Sequence, residues 1–463
     1  PLPTLVARAT LLALGLVGAC GGGGEATSPE GGVCVPGASE ACYAGPAGTE
    51  GVGPCGGGER VCGDDGNFGD CTGGVVPVNE DCGNNIDDNC DGTVDGGDAD
   101  GDGFDSCGGD CCDVEGPCTS PENVNPGAYE IADNSVDDDC DGTVDNAQAA
   151  ECDMGLASDS SDALAYAAAM DLCQTTTEDG EGWGVISATL TRTDGTGNPH
   201  AGAHSIRPGF GSGTSPRFGQ SLAVLSTGKA AADGDTNPNH VPYQPGFQAR
   251  TSSPMPADWL AANGGMAPNA PGCPPPNGGA TANDLVMLTL RLRVPSNANS
   301  FSLSSNFLST EYPEWVCSPF NDFFVALLDS SFSGQPANPA DKNLARYTAP
   351  DMTDYPVGVN LAFGNTGLFN QCVNGPTGCT QSSEPGTTTA CTSTDGLVGT
   401  GFDVVNPPSE FPQDPGYCDA NNLSGGGTGW LSTSGNVVPG EIIDLRLAIW
   451  DTSDSIYDSV VLL

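Results

Sequence analysis

Three short segments of the chain alternate oxygen-bearing side chains and close on a glycine. The first is Asp87-x-Asn89-x-Asp91-Gly92, followed by Asp95. The second is Asp98-x-Asp100-x-Asp102-Gly103, followed by Asp105. The third is Asp137-x-Asp139-x-Asp141-Gly142, followed by Asp145. Side chains at the first, third and fifth positions of such a loop can converge on one ion when the chain curls around it, and glycine at the sixth permits the sharp turn. Hard carboxylate oxygens suit Ca²⁺ better than soft metals. These residues are expected to be metal ligands, with Ca²⁺ as the ion. No amphipathic helices flank the loops and no Glu stands at position twelve, so they are not helix–loop–helix calcium hands. Residues 61–191 hold 32 of the chain's 60 acidic residues and no Lys or Arg. Two like charges 4 Å apart repel by roughly 4 kcal/mol at an effective dielectric of about 20. Bound Ca²⁺ is therefore expected to order the segment, because binding to the folded form alone adds to its stability.

A second acidic set, Glu311, Asn321, Asp322, Asp451, Asp454 and Asp458, is expected to form a further metal or glycan site at one edge of the C-terminal domain. The competing explanation is turn chemistry, since Asp and Asn cap loops between strands. Tyr312 and Trp315 could stack on a sugar, although burial is the expected fate of such rings. Enzyme signatures are absent: there is no HExxH, GxSxG, Walker loop or nucleotide-binding glycine fingerprint. His200-x₃-His204 could hold Zn²⁺ on a helix, but the Pro and Gly of NPHAGAHSIRP predict a loop. No catalytic residue is assigned and a non-enzymatic role is expected.

The elements that must position these groups are mostly β. Asp284–Val294 alternates, with Val286, Leu288, Leu290, Leu292 and Val294 on one face; Phe301–Leu308 and Ile443–Ile449 do the same. Such strands between Gly/Pro/Asn turns predict an antiparallel β-sandwich over 175–463, interrupted by a long loop at 228–280. One short helix is expected over Asp162–Leu172, capped by Ser160 or Ser161, within a connecting segment at 151–174. Upstream, 34–79 reads as a Cys-rich module and 80–150 as acidic repeats, because EDCGNNIDDNCDGTVD at 80–95 recurs as EIADNSVDDDCDGTVD at 130–145. Both are expected to have little regular structure and to rely on disulfides. Fourteen cysteines lie between Cys34 and Cys173 and six between Cys273 and Cys418, which predicts two closed disulfide sets in an oxidising compartment. With 12 Lys+Arg against 60 Asp+Glu, the formal charge of −48 excludes nucleic acid as a partner. The chain lacks an initiating Met and stops inside the apolar run Val460–Leu463, so it reads as a fragment at both ends.

Residues 1–19 have the charge and apolar run of a secretory signal, and Val17-Gly18-Ala19-Cys20 resembles the lipobox of bacterial lipoproteins. That resemblance implies cleavage before Cys20, lipidation of its sulfur, and a Gly-rich tether over 20–33. The disulfide-linked acidic loops are similar to thrombospondin type 3 repeats. The stretch 79–145, CGNNIDDNCDGTVD through NSVDDDCDGTVD, resembles the metal-binding repeat named after the copper protein MopE. The name implies copper. The block has no His, however, and its cysteines are assigned to disulfides, so metal binding carries over with calcium rather than copper. SLAVLSTGK at 221–229, NFLSTEYPEWVCSPFNDFF at 306–324 and GEIIDLRLAIWDTSDSIYDSVVL at the end resemble the choice-of-anchor L domain, a β-rich module of bacterial surface proteins. The expected function is a lipid-anchored protein of the outer membrane or cell surface. Its calcium-binding repeats would present a β-sandwich for adhesion to a surface glycan or protein ligand. The alternatives are a lipoprotein that scavenges copper or zinc, and a degenerate hydrolase using His200 and His204.

Overall fold

The computed structural model describes residues 34–114, 118–146, 152–241, 248–274, 279–363, 366–378, 386–388, 391–405 and 423–463. The expected leader, Cys20 and its tether lie outside the described residues, as do Cys379 and Cys418. Strands β1 (Ser39–Cys42) and β2 (Gly58–Val61) form an antiparallel pair in the first module. Apolar burial cannot hold this region, because Val61, Val75, Val78, Ile86 and Val94 are all exposed. Covalent staples replace it. The pairs are Cys34–Cys62, Cys42–Cys71, Cys55–Cys90, Cys82–Cys107, Cys111–Cys140, Cys112–Cys118 and Cys152–Cys173. All fourteen cysteines of the first set thus pair among themselves. Cys55–Cys90 fastens the Cys-rich module to the acidic segment.

The connecting helix α1 (Ala163–Ala169) is shorter than expected and differently capped. Its N-cap is Asp162, whose carboxylate accepts the Leu164 N–H at 3.0 Å, while the Ser160 hydroxyl accepts from Asp162 N–H. The helix starts at the first of its alanines, which places Asp162 rather than either serine at the cap.

The sandwich begins with β3 (Gly184–Thr191), β4 (His204–Arg207) and β5 (Leu222–Ser226). Next come β6 (Ser252–Pro254), α2 (Ala257–Ala262), β7 (Thr281–Arg293), β8 (Ser300–Ser309) and β9 (Phe323–Asp329). Three short pairs follow: β10 (Arg346–Thr348) with β11 (Asp354–Pro356), β12 (Gly375–Thr377) with β13 (Gly386–Thr388), and β14 (Val404–Val405) with β15 (Leu423–Ser424). Strands β16 (Gly426–Asn436), β17 (Ile442–Asp451) and β18 (Ser459–Leu462) complete it. One sheet has the order β16-β8-β18-β5-β4 and the other β3-β7-β17-β9, with β6 beside β7. The expected loop at 228–280 therefore carries a short strand and a helix. Trp259 of α2 is fully buried against Phe323 and Trp450.

The predicted alternation places the core. Leu445 pairs with Leu290 on one side and Leu328 on the other, and Leu447 with Leu288 and Ala326. These residues meet Leu225, Leu303, Phe307 and Val461 of the other sheet in one buried cluster. A second cluster, with Leu222, Val224, Leu308, Val460 and Leu462, lies on the outer face of that sheet beneath Phe210, Leu397 and Phe402. Strands β5 and β18 are consequently buried on both faces. No helix among the described residues is long and apolar enough to cross a membrane.

Candidate metal centres

The 50-residue repeat is reproduced in hydrogen bonding. Glu80 accepts from the backbone N–H groups of Asp88 and Asn89, and Glu130 from those of Asp138 and Asp139. Asp87 and Asp137 each accept from the closing glycine, Gly92 and Gly142, at 3.0 Å. These glycines have φ of 96° and 91°, a left-handed conformation that favours glycine. Asp95 and Asp145 turn away from their loops. They accept instead from the preceding turn, at Gly83 and Asn85 in one repeat and at Asn134 and Ser135 in the other.

Three groups of carboxylates in this segment have oxygens within 4.8 Å of one another: Asp98/Asp100/Asp113, Asp100/Asp102/Asp110 and Glu130/Asp137/Asp139. Asp110, Asp113 and Glu130 lie outside the alternating frame and were not among the residues expected there. Conversely, the structure does not bring Asp87, Asp91, Asp95, Asp105, Asp141 or Asp145 into these groups. The first loop has Asn89 where the third has Asp139, so it supplies one carboxylate fewer. Asp91 and Asp141 accept from the N–H groups of Thr93 and Thr143, and Asp105 is exposed.

Five of the clustered residues share a pattern. Asp100 accepts from Asp102 N–H, Asp110 from Cys112 N–H, Asp113 from Ala99 N–H, Glu130 from Asp138 N–H and Asp137 from Gly142 N–H. In each, the other carboxylate oxygen is buried without a well-formed hydrogen bond, although the Ser106 hydroxyl stands beside Asp113. One oxygen is anchored by backbone while the second is held in place without a donor. Burial pushes the Asp100 carboxyl up to about 6 and the Asp110 carboxyl up to about 7, with the Asp102 and Asp113 charges adding to both rises. Burial likewise raises Asp102, Asp113, Glu130 and Asp139. Asp98, Asp100 and Asp113 line an open depression of about 690 Å³ together with Asn89, Asp91 and Glu122.

Asn125 joins this segment to the sandwich. It is fully buried, donates to Asp102 Oδ2 at 2.6 Å, and its N–H donates to the Asp138 carbonyl at 2.9 Å. Its side-chain oxygen accepts from the Ser296 hydroxyl in the β7–β8 turn at 2.5 Å. Asn297 of the same turn bonds the backbone N–H and C=O of Tyr129, whose ring lies 5.4 Å from that of Trp183. An apolar cavity of about 610 Å³ opens beside this junction, lined by Tyr129, Trp183, Leu292, Phe301 and Val437.

The opposite end of the sandwich carries the second acidic set. Glu311 follows β8, Asp322 precedes β9 and Asp451 ends β17. Their exposures are 1%, 0% and 2%, and their oxygens lie within 4.8 Å of one another. Glu311 Oε2, both oxygens of Asp322 and Asp451 Oδ1 lack a well-formed hydrogen bond, as does the neighbouring Ser459 hydroxyl. No Lys, Arg or His is among the main groups acting on any of the three, and burial, with repulsion from neighbouring carboxylates that include Asp454, holds all of them well above the carboxylate range. If all were ionised, each pair would repel by about 3.5 kcal/mol at an effective dielectric of about 20. Asp454 and Asp458 stand beside this cluster, raised by burial to about 6 and about 7. A Cβ at Gly228 would collide with the Asp458 carboxylate, which explains the glycine after β5. Asn321 is occupied elsewhere, because its side-chain oxygen accepts from Asn360 N–H at 2.8 Å. Tyr312 is buried, and Trp315 meets Phe320 edge to face and Tyr457 at a tilt.

Neither His200 nor His204 joins a metal-ligating group among the described residues. His204 lies in β4, not a loop, and its Nδ1 is 2.6 Å from the Tyr166 hydroxyl. Burial lowers its pKa to about 4. His200 Nδ1 accepts from Gly202 N–H.

Neither the curated proteins nor the solved structures contain a significant match to the chain. One family model, the choice-of-anchor L domain, matches residues 220–463. The match starts later than the expected 175, so β3 and β4 precede it although they contribute to both sheets. It spans every strand from β5 to β18, including the ends that gather Glu311, Asp322 and Asp451. The chain therefore belongs to the choice-of-anchor L domain family.

Proposed function

We propose that this chain is an exported surface protein, lipid-anchored at Cys20, in which a calcium-binding acidic segment forms a firm base for an adhesive β-sandwich. Family membership fits a surface-anchored protein, and the family is not one of enzymes. The single observation that carries the calcium reading is the set of buried, unpartnered oxygens on Asp100, Asp110, Asp113, Glu130 and Asp137. A divalent cation would satisfy them and offset the local charge. The acidic segment resembles the MopE-type repeat, but its cysteines are consumed by disulfides and it contains no His. That donor set favours a hard ion over copper or zinc. The Asn125 junction would then make the segment a support packed on the β7–β8 turn. The sandwich surface would engage a glycan or protein ligand.

Metal analysis of the purified full chain, with calorimetric titration of Ca²⁺, Cu²⁺ and Zn²⁺, tests this reading. The expected result is several bound Ca²⁺ ions and no tight Cu²⁺ or Zn²⁺. Tight retention of copper or zinc with no calcium binding in the millimolar range or below would favour the scavenger instead. Protease resistance of residues 80–146 should rise with calcium.

A further inference from the structure

We infer that Glu311, Asp322 and Asp451 form a separate cation site, holding one hard divalent ion of the calcium class between the two sheets. This site shares no residue with the acidic segment and does not depend on how that segment is read. Its donors come from the ends of both sheets: Glu311 continues β8, while Asp322 and Asp451 flank the paired residues Phe323 and Trp450 of β9 and β17. The three carboxyls are buried and their oxygens lie within 4.8 Å of one another. Oxygens around one Ca²⁺ at about 2.3–2.6 Å can be separated by that much.

Neither charge state satisfies this cluster by itself. Ionised, the three carboxylates repel with no basic group among the main ones acting on them. Neutral, Asp451 and Asp322 can share one proton, yet Glu311 Oε2 is left buried without a hydrogen bond. A divalent cation removes both difficulties, since it supplies the positive charge and coordinates the lone pairs. Ser459 Oγ, which neighbours the Asp322 carboxyl, and the Asp454 carboxylate, which neighbours Asp451, are next in reach to complete the shell, together with water. The ion would clasp residues 310–321 to residues 452–458, two loops that also meet through the Trp315–Tyr457 contact at 5.9 Å.

The test uses the full chain stripped with chelator and titrated with CaCl₂, comparing wild type with Asp322→Asn, Glu311→Gln and, as a control in the other segment, Asp100→Asn. Asp322→Asn and Glu311→Gln should each lose one bound Ca²⁺, or weaken it at least tenfold, whereas Asp100→Asn should retain that site. Stability supplies a second reading with opposite signs. In chelator, Asp322→Asn should unfold no earlier than wild type because repulsion is relieved; in calcium it should unfold earlier. Should Asp322→Asn fail to fold, calcium-dependent protection of residues 310–321 from protease in the Asp100→Asn chain decides the matter. Equal calcium stoichiometry with equal affinity in wild type and Glu311→Gln overturns the proposal. The same stability change with and without calcium does so too, as does an absence of protection.

Discussion

Asp110 offers a quantitative test of calcium binding in the acidic segment. Its carboxyl is raised from 3.8 to about 7, chiefly by burial, and one of its oxygens is unpartnered. A carboxylate must shed its proton to coordinate a metal. At pH 6.5 a group with that pKa is about three-quarters protonated, and at pH 8 about one-tenth. Asp110→Asn should therefore reduce the protons released on calcium binding by about 0.7–0.8 per chain at pH 6.5, but by no more than about 0.1 at pH 8. The assay is calorimetric titration in two buffers of different ionisation heat, whose difference counts protons. The same shift has a stability sign. A carboxyl whose folded pKa is raised contributes fully below its unfolded value of 3.8, and that contribution is lost as pH rises through about 7. The full shift corresponds to about 4 kcal/mol, and about half of that is a reasonable figure in a segment still open to solvent. Without calcium, Asp110→Asn should thus be more stable than wild type at pH 8 by about 2 kcal/mol, a gap that closes toward pH 4. Equal proton release by wild type and variant at pH 6.5 would refute the reasoning.

Asp100 belongs to two of the three groups, so Asp100→Asn should lose more calcium than Asp113→Asn, as counted by metal analysis after dialysis. Asn125→Ala leaves Asp102 and Ser296 without their shared partner and should cost about 1–3 kcal/mol, with faster protease cleavage within 118–146. Leu447→Ala empties a fully buried core position between Leu288 and Ala326 and should cost about 2–5 kcal/mol in urea unfolding. His204 should titrate by NMR near 4, and the stability its neutral ring contributes should decline as pH falls from 6.5 through that value.

The strands most legible in the sequence are those with one wet face. In β7 the half-exposed Thr289, Arg291 and Arg293 alternate with buried Leu288 and Leu290, which makes the period visible. Strands β5 and β18 lack that contrast because a second apolar cluster covers their other face. Helix α2 has six residues, too few to establish a helical period. The Asp-x-Asp-x-Asp-Gly frame pointed to the acidic clusters, but it named more residues than the structure brings together. Asp95 and Asp145 carry the same spacing in both repeats for the sake of the turns they cap. Glu130 did leave a signal, since Glu80 occupies the equivalent place 50 residues earlier. Asp110 and Asp113 left none, because disulfide geometry rather than local spacing delivers them. Glu311, Asp322 and Asp451 could be anticipated as a set because each stands next to the end of a strand.

The closed pairing of the fourteen cysteines from Cys34 to Cys173 bears on how the chain matures. No bond among them spans more than 35 residues, and none reaches past Cys173. As a chain emerges N-terminus first from a ribosome or translocation channel, this part can complete its oxidative folding before β3 is available. Every correct partner is already present, and Cys273 and later thiols have not yet arrived to compete. The sandwich, whose sheets need strands separated by more than 200 residues such as β5 and β18, would then collapse onto a base that is already locked.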